Sequence, residues 1–155
     1  MTTNTQQEEQ VIEVKAKVSA KLVDSILVTA FDGQCGGSLF WADWAEKGLE
    51  KTIPEGATCD LDHLWTTVHI QFDPEDAPTK FMSAQYTEQI AAGGVPIGAE
   101  EIGVGLARFI NDNGYRDEER QWALEAVVTG DGGMIDANLA DCIVQEALFG
   151  KQVYA

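Results

Sequence analysis

The stretch from Ala137 to Phe149 constrains the fold of this chain more than any other. Leu139, Ala140, Ile143, Val144, Ala147 and Leu148 cover more than half the circumference of a helix, so it cannot lie on a surface with one face in water. It has to sit in the core. Asp136 is placed to cap its first turn and Gly150 to end it. On this apolar helix Asp141 and Gln145 stand four residues apart and share one face. A polar pair in that setting must find hydrogen-bond partners or line a cavity.

The rest of the chain supplies what surrounds that helix. Residues 1–10 are polar and aperiodic and are expected to be a disordered N-terminus, leaving 11–155 as one domain. Val18, Leu22, Val23, Ile26, Leu27 and Ala30 stripe a helix over Lys17–Ala30. Ser38 is placed to cap a short second helix, Leu39–Lys47, closed by Gly48. Residues 52–63, with Pro54, Gly56 and several acids, read as a loop. Leu64–Phe72 alternates, with Leu64, Thr66, Val68, Ile70 and Phe72 on one face, and is the strongest strand signal. After a turn at 73–78, Lys80–Tyr86 is expected to return as its antiparallel partner, with a third strand drawn from Val11–Ala16 or Gln152–Tyr154. Helices follow at Ala99–Asn113, with Gly114 beyond its end, and at Asp117–Val128, with a break at Gly130-Asp131-Gly132-Gly133. The fold class is α+β: a mainly helical single domain of about five helices with a small antiparallel hairpin or three-stranded sheet.

Charge narrows the functions available. The chain has 26 Asp and Glu against 10 Lys and Arg, a net charge of −16 spread along its length. Such a field repels phosphate backbones and anionic lipid, so direct nucleic-acid and membrane binding are not expected. No apolar run approaches the roughly 20 residues that cross a bilayer, and residues 1–16 hold no secretory apolar core, which points to the cytoplasm. The three cysteines, Cys35, Cys59 and Cys142, have no paired spacing and read as free thiols.

The segment Ala30–Trp41 looks most like a site. Its glycines permit close backbone approach, and a Ser at a helix start offers donors to an anion or polar ligand beside a stacking indole. Asp32, Gly36, Gly37, Ser38 and Trp41 form one wall of a candidate pocket, and Asp136, Asp141 and Gln145 on the last helix form the other. Neither phosphate-binding glycine motif is present, and no cofactor is expected. Cys35 with His63 or His69 as base lacks a visible cationic neighbour, and free cysteine is more often a small buried hydrophobe. Cys59, Asp60, Asp62 and His63 have no second ligand pair for zinc, so no metal site is assigned and the stretch reads as a solvated acidic loop.

Two stretches, Ala30-Phe31-Asp32-Gly33 with Gly36-Gly37-Ser38-Leu39-Phe40-Trp41, and Asp136 through Tyr154 with its Asp-Ala-x-x-Ala-Asp and Gln-x-Ala-Leu-Phe-Gly-x-x-Val-Tyr patterns, resemble small accessory proteins of tailed bacteriophages. The resemblance covers about a third of the chain, and Gln34 and Cys35 interrupt the usual Gly-Gly-Ser run. It implies a context, a phage protein made in a bacterial cytoplasm and acting on host systems, including defence systems, by binding. It lends no activity. The expected function is a binding protein, leaning away from an enzyme, that holds a small polar or nucleotide-like ligand between the glycine-rich loop and the last helix. The alternative is an acidic inhibitor of a host protein surface, or a nucleic-acid mimic. Dense aromatic residues and wide apolar helix faces also lead to the expectation of a homodimer.

Overall fold

The computed structural model describes residues 15–32 and 36–155. Its elements run α1 (Ala20–Phe31), β1 (Asp43–Thr52), β2 (Leu64–Gln71), α2 (Lys80–Ala91), β3 (Val95–Gly98), α3 (Ala99–Asn111), α4 (Asp117–Thr129) and α5 (Ala137–Phe149). Short 3-10 turns at Gly37–Phe40, Asp60–Asp62 and Pro74–Asp76 fill the connections. The described residues thus form the five-helix α+β domain with a three-stranded antiparallel sheet, in the order β1-β2-β3.

α5 occupies the centre, as its apolar circumference requires. Ten of its residues are buried, from Leu139 to Phe149 with Ala147 alone partly exposed. α1 lies against both α5 and β2, and α3 packs on α5 on one side and on α4 on the other. Close approach of α3 to α5 depends on Gly105, where an added Cβ would fall 2.2 Å from the Ile143 carbonyl oxygen. Asp136 accepts the Leu139 N–H at 2.8 Å as the cap of α5, and Gly150 ends the helix at φ 68°, a left-handed conformation that glycine adopts without cost.

Three expected elements differ. Lys80–Tyr86 is not a strand but the start of α2, capped by the Thr79 hydroxyl, which accepts the Met82 N–H at 3.1 Å. Its residues are mostly good helix formers, with none β-branched before Thr87, so local propensity governs. Leu39–Lys47 is not a helix. Only one 3-10 turn forms, after which β1 begins, because tertiary partners claim the residues a helix would need: Trp44 Nε1 donates to the Phe31 carbonyl at 2.8 Å, and the Ser38 hydroxyl is held by α5. The partners of β2 are therefore β1 and β3. Of the segments expected to supply a third strand, Val11–Val14 lie outside the described residues, and neither Lys15–Ala16 nor Gln152–Tyr154 is a strand. The expected disordered residues 1–10 lie outside as well. α3 stops at Asn111 with Asp112 as its cap, so Gly114 is a loop residue whose N–H donates to the Asp112 carboxylate at 2.8 Å.

β2 buries Val68 and Ile70 as its alternation requires, and Phe72, just past its end, is buried too. Trp65, on the opposite face, is also buried, its ring edge-on to Trp44 at 5.3 Å and beneath the Lys51 ammonium. β1 is irregular: its register shifts between Trp44 and Leu49 and again between Glu50 and Lys51, a bulged edge that blunts pairing with other strands.

Candidate functional site

Three of the expected site residues meet on α5 at a single carboxylate. Asp141 Oδ1 accepts the Ser38 hydroxyl at 2.8 Å and the Trp41 indole N–H at 2.7 Å, and Oδ2 accepts the Gln145 amide N–H at 2.7 Å. Ser38, Asp141 and Gln145 are buried, Ser38 and Gln145 completely. Gly37 makes this approach possible. A Cβ there would lie 1.9 Å from the Ala137 carbonyl oxygen and 3.1 Å from Asp141 Cβ. Gly36 is similarly tight against the end of α1, at 2.7 Å from the Ala30 carbonyl oxygen.

The arrangement inverts the expected role of Ser38. The position where an external anion would sit is filled by the protein's own carboxylate. Burial pushes the Asp141 carboxyl above its ordinary pKa, and the three donated bonds pull it part of the way back. Trp41 can only donate, and the Gln145 amide is fixed in orientation because its Oε1 accepts the Val153 N–H at 2.8 Å and the Tyr154 N–H at 2.7 Å. Gln145 Nε2 also donates to the Tyr154 carbonyl at 3.1 Å. The amide of one side chain thus grips the backbone of the segment that follows α5.

Tyr154 completes the cluster. Its ring stacks on Trp41 with centroids 4.9 Å apart and planes 7° from parallel, and it meets Phe40 edge-on at 6.2 Å. Beneath, Trp41 is braced by Phe72 and Phe149, each 5.8 Å away. The Tyr154 hydroxyl donates to the Asp76 carboxylate, and burial together with that neighbour raises its pKa. A separate groove of about 680 Å³ is lined by Glu75, Ala77, Lys80, Ser83, Thr87 and Glu88, from the turn before α2 and from α2 itself.

Two expected residues stay out of this network. Asp136 is occupied as the cap of α5, and the exposed Asp32 closes α1 through its backbone N–H to Val28 O. Cys35 lies outside the described residues, so its proposed pairing with a histidine does too. Asp62 accepts the Thr58 and Cys59 N–H groups at 2.8 and 3.3 Å and so organises its own loop, and no metal-holding group of three or more acids, histidines or cysteines occurs among the described residues.

Residues without a sequence-based role prove central: Tyr154, Phe40 and Asp76 here, and Glu146 nearby. The Val-Tyr pair closing the C-terminal motif was a usable signal for Tyr154, since a tyrosine just past a helix-ending glycine can fold back on the helix. Glu146 is buried and accepts the Tyr115 hydroxyl at 2.9 Å. Burial, and the Asp112 carboxylate beside it, raise its pKa.

No family model matches the chain, and no curated protein or solved structure is significantly similar to it. The functional reading therefore stands on the site itself: an indole platform over a buried, hydrogen-bonded carboxylate and amide.

Proposed function

We propose that this is a non-enzymatic binding protein whose ligand surface is the Trp41 platform with the Asp141–Gln145 floor, acting in the phage accessory context that its two motifs suggest. The observation that carries this reading is the parallel stacking of the chain's own Tyr154 ring on Trp41, at 4.9 Å, beside the Gln145 side-chain amide, which bonds the backbone N–H and carbonyl of the residue bearing that ring. An indole face with a fixed amide beside it suits a planar, polar, ring-bearing ligand. The surrounding charge selects further. Asp141 lies below the ring and Asp73 and Asp76 stand at its hydroxyl, so the ligand is neutral or cationic at the ring, and a phosphate gains nothing there. Thermal-shift and tryptophan-fluorescence titrations with nucleosides and aryl amides test the reading. A saturable response lost in Trp41→Ala is expected, and no response to any of them removes it.

Self-association as a homodimer belongs to the same reading. It is supported by the exposed Leu124 and Val128, one turn apart on α4, and by Phe81 and Met134. The acid-rich surface supports the alternative, an inhibitor that covers a basic protein face. Its affinity would fall steeply with salt, whereas binding on Trp41 would change little.

A further inference from the structure

We propose that the floor around Trp41 and Gln145 is a peptide-recognition groove for a short segment carrying an aromatic side chain, and that Gln152–Tyr154 occupies it in cis as an exchangeable plug. This rests on the ring-binding reading above and names its ligand class.

The contacts of the plug are those by which one protein reads another's backbone. Gln145 takes two consecutive N–H groups, of Val153 and Tyr154, on one amide oxygen and returns its own N–H to the Tyr154 carbonyl. Those bonds recognise main chain and are indifferent to the side chains that carry it. Selectivity comes from the ring slot, made by the Trp41 face, the Phe40 edge and the Asp76 carboxylate that accepts the phenol. A peptide that bears tyrosine and follows the same backbone path satisfies every one of these partners.

The plug is also built to leave. Its first residue Gln152 and the flanking Lys151 and Ala155 are exposed, Val153 and Tyr154 are only half-buried, and it begins two residues after Gly150. The groups beneath it are the opposite. Gln145 and Asp141 stand on the central helix, and the bonds of Asp141 with Gln145, Ser38 and Trp41 do not involve the plug, so they hold the floor when it departs. Opening would expose two amide positions of Gln145 without partners, a state that favours recapture of a peptide, in cis or in trans. The acidic rim of Asp73 and Asp76 adds a preference for a neutral or basic peptide, and Lys151 directly precedes the plug.

The test uses the full chain with Tyr154→Ala, which vacates the ring slot. The acetylated and amidated peptide Lys-Gln-Val-Tyr-Ala is titrated against tryptophan fluorescence. Saturable binding is expected, about tenfold or more weaker when the peptide tyrosine is replaced by alanine, and weaker by about the same factor when its amide nitrogen is methylated, because one hydrogen bond to Gln145 is then lost. Absence of binding to the folded variant overturns the proposal. If that variant binds nucleosides or tyramine but not the peptide, the peptide assignment fails and the ring-binding reading stands. If it binds neither, both fail. Hydrogen exchange on the unaltered chain is a second, independent readout. The Val153 and Tyr154 amides are expected to exchange at least about tenfold faster than those of Ile143 and Val144. Exchange only through global unfolding makes the segment a fixed part of the core, and it decides against the proposal even if Tyr154→Ala fails to fold.

Discussion

The Trp41 indole N–H donates to the Asp141 carboxylate at 2.7 Å across 100 residues of chain, joining the two motifs that stand furthest apart in the candidate site. Because Trp41 is a donor only and Asp141 is buried, each needs the other. The bond sets the height and tilt of the indole face on which Tyr154 rests.

Asp141→Asn tests how far this network is specified. Oδ1 of the asparagine still accepts from Trp41 and Ser38, but its amide nitrogen meets the fixed Gln145 amide nitrogen, donor against donor. A loss of about 1–3 kcal/mol is expected from chemical denaturation. Asp141→Ala should cost more, since it leaves three donors without an acceptor.

Two glycines on α3 should respond with opposite signs. Gly105→Ala drives a methyl to 2.2 Å from the Ile143 carbonyl oxygen and should destabilise by about 1–3 kcal/mol or more by overpacking. Gly103→Ala meets only Val18 Cγ2 at 3.8 Å, an ordinary contact, so helix propensity should stabilise it by up to about 1 kcal/mol. Gly37→Ala should behave like Gly105→Ala, with a methyl at 1.9 Å from Ala137 O. Thermal unfolding of the three variants separates these outcomes.

The pH dependence follows from the two buried acids of α5. Burial raises the carboxyl pKa of both Asp141 and Glu146 in the folded chain, so the native state holds these protons more tightly than the unfolded one. Their contribution is fully present below the ordinary carboxylate pKa and is lost as pH rises through the raised values. Glu146→Gln keeps an acceptor for Tyr115 and removes one titration. The stability difference between variant and parent should therefore shift in favour of the variant as pH climbs out of the acid range, and a difference flat with pH would contradict this.

Screening should act in the same direction as acid. With a net charge of −16, the folded chain repels itself, and few bases among the described residues offset this locally beyond pairs such as Arg116–Glu119 at 2.6 Å. Unfolding midpoints should rise as sodium chloride goes from low ionic strength to about 0.15 M, where the Debye length is ~8 Å.

Helix signals carried far in this sequence because they are local. α5 is legible from Asp136, its apolar arc and Gly150, and β2 from its alternation. β1 is not legible, because Glu46, Lys47, Glu50 and Lys51 give it no apolar face, and what makes it a strand is its pairing with β2. In α2 the Thr79 cap and the helix formers that follow it outweigh the hairpin that the turn at 73–78 suggests. In the site, the convergence of Ser38, Trp41, Asp141 and Gln145 follows from their chemistry, since a buried acid and amide need donors and acceptors. That they would satisfy one another, and that Tyr154 would cover them, depends on the path of the chain after Gly150.

The separation of Ser38 and Trp41 from Asp141 and Tyr154 also has a bearing on how the protein is made. Ribosomes deliver a chain from its N-terminus, so the apolar side of α1 emerges well before α5, the helix that covers it, has been synthesised. Closing a loop of about 100 residues costs little more than closing one half as long, so once α5 appears the delay is one of supply and not of entropy. Until then the side of α1 that α5 covers has no partner, and the nascent chain presents to the cell a sticky surface that the finished protein conceals.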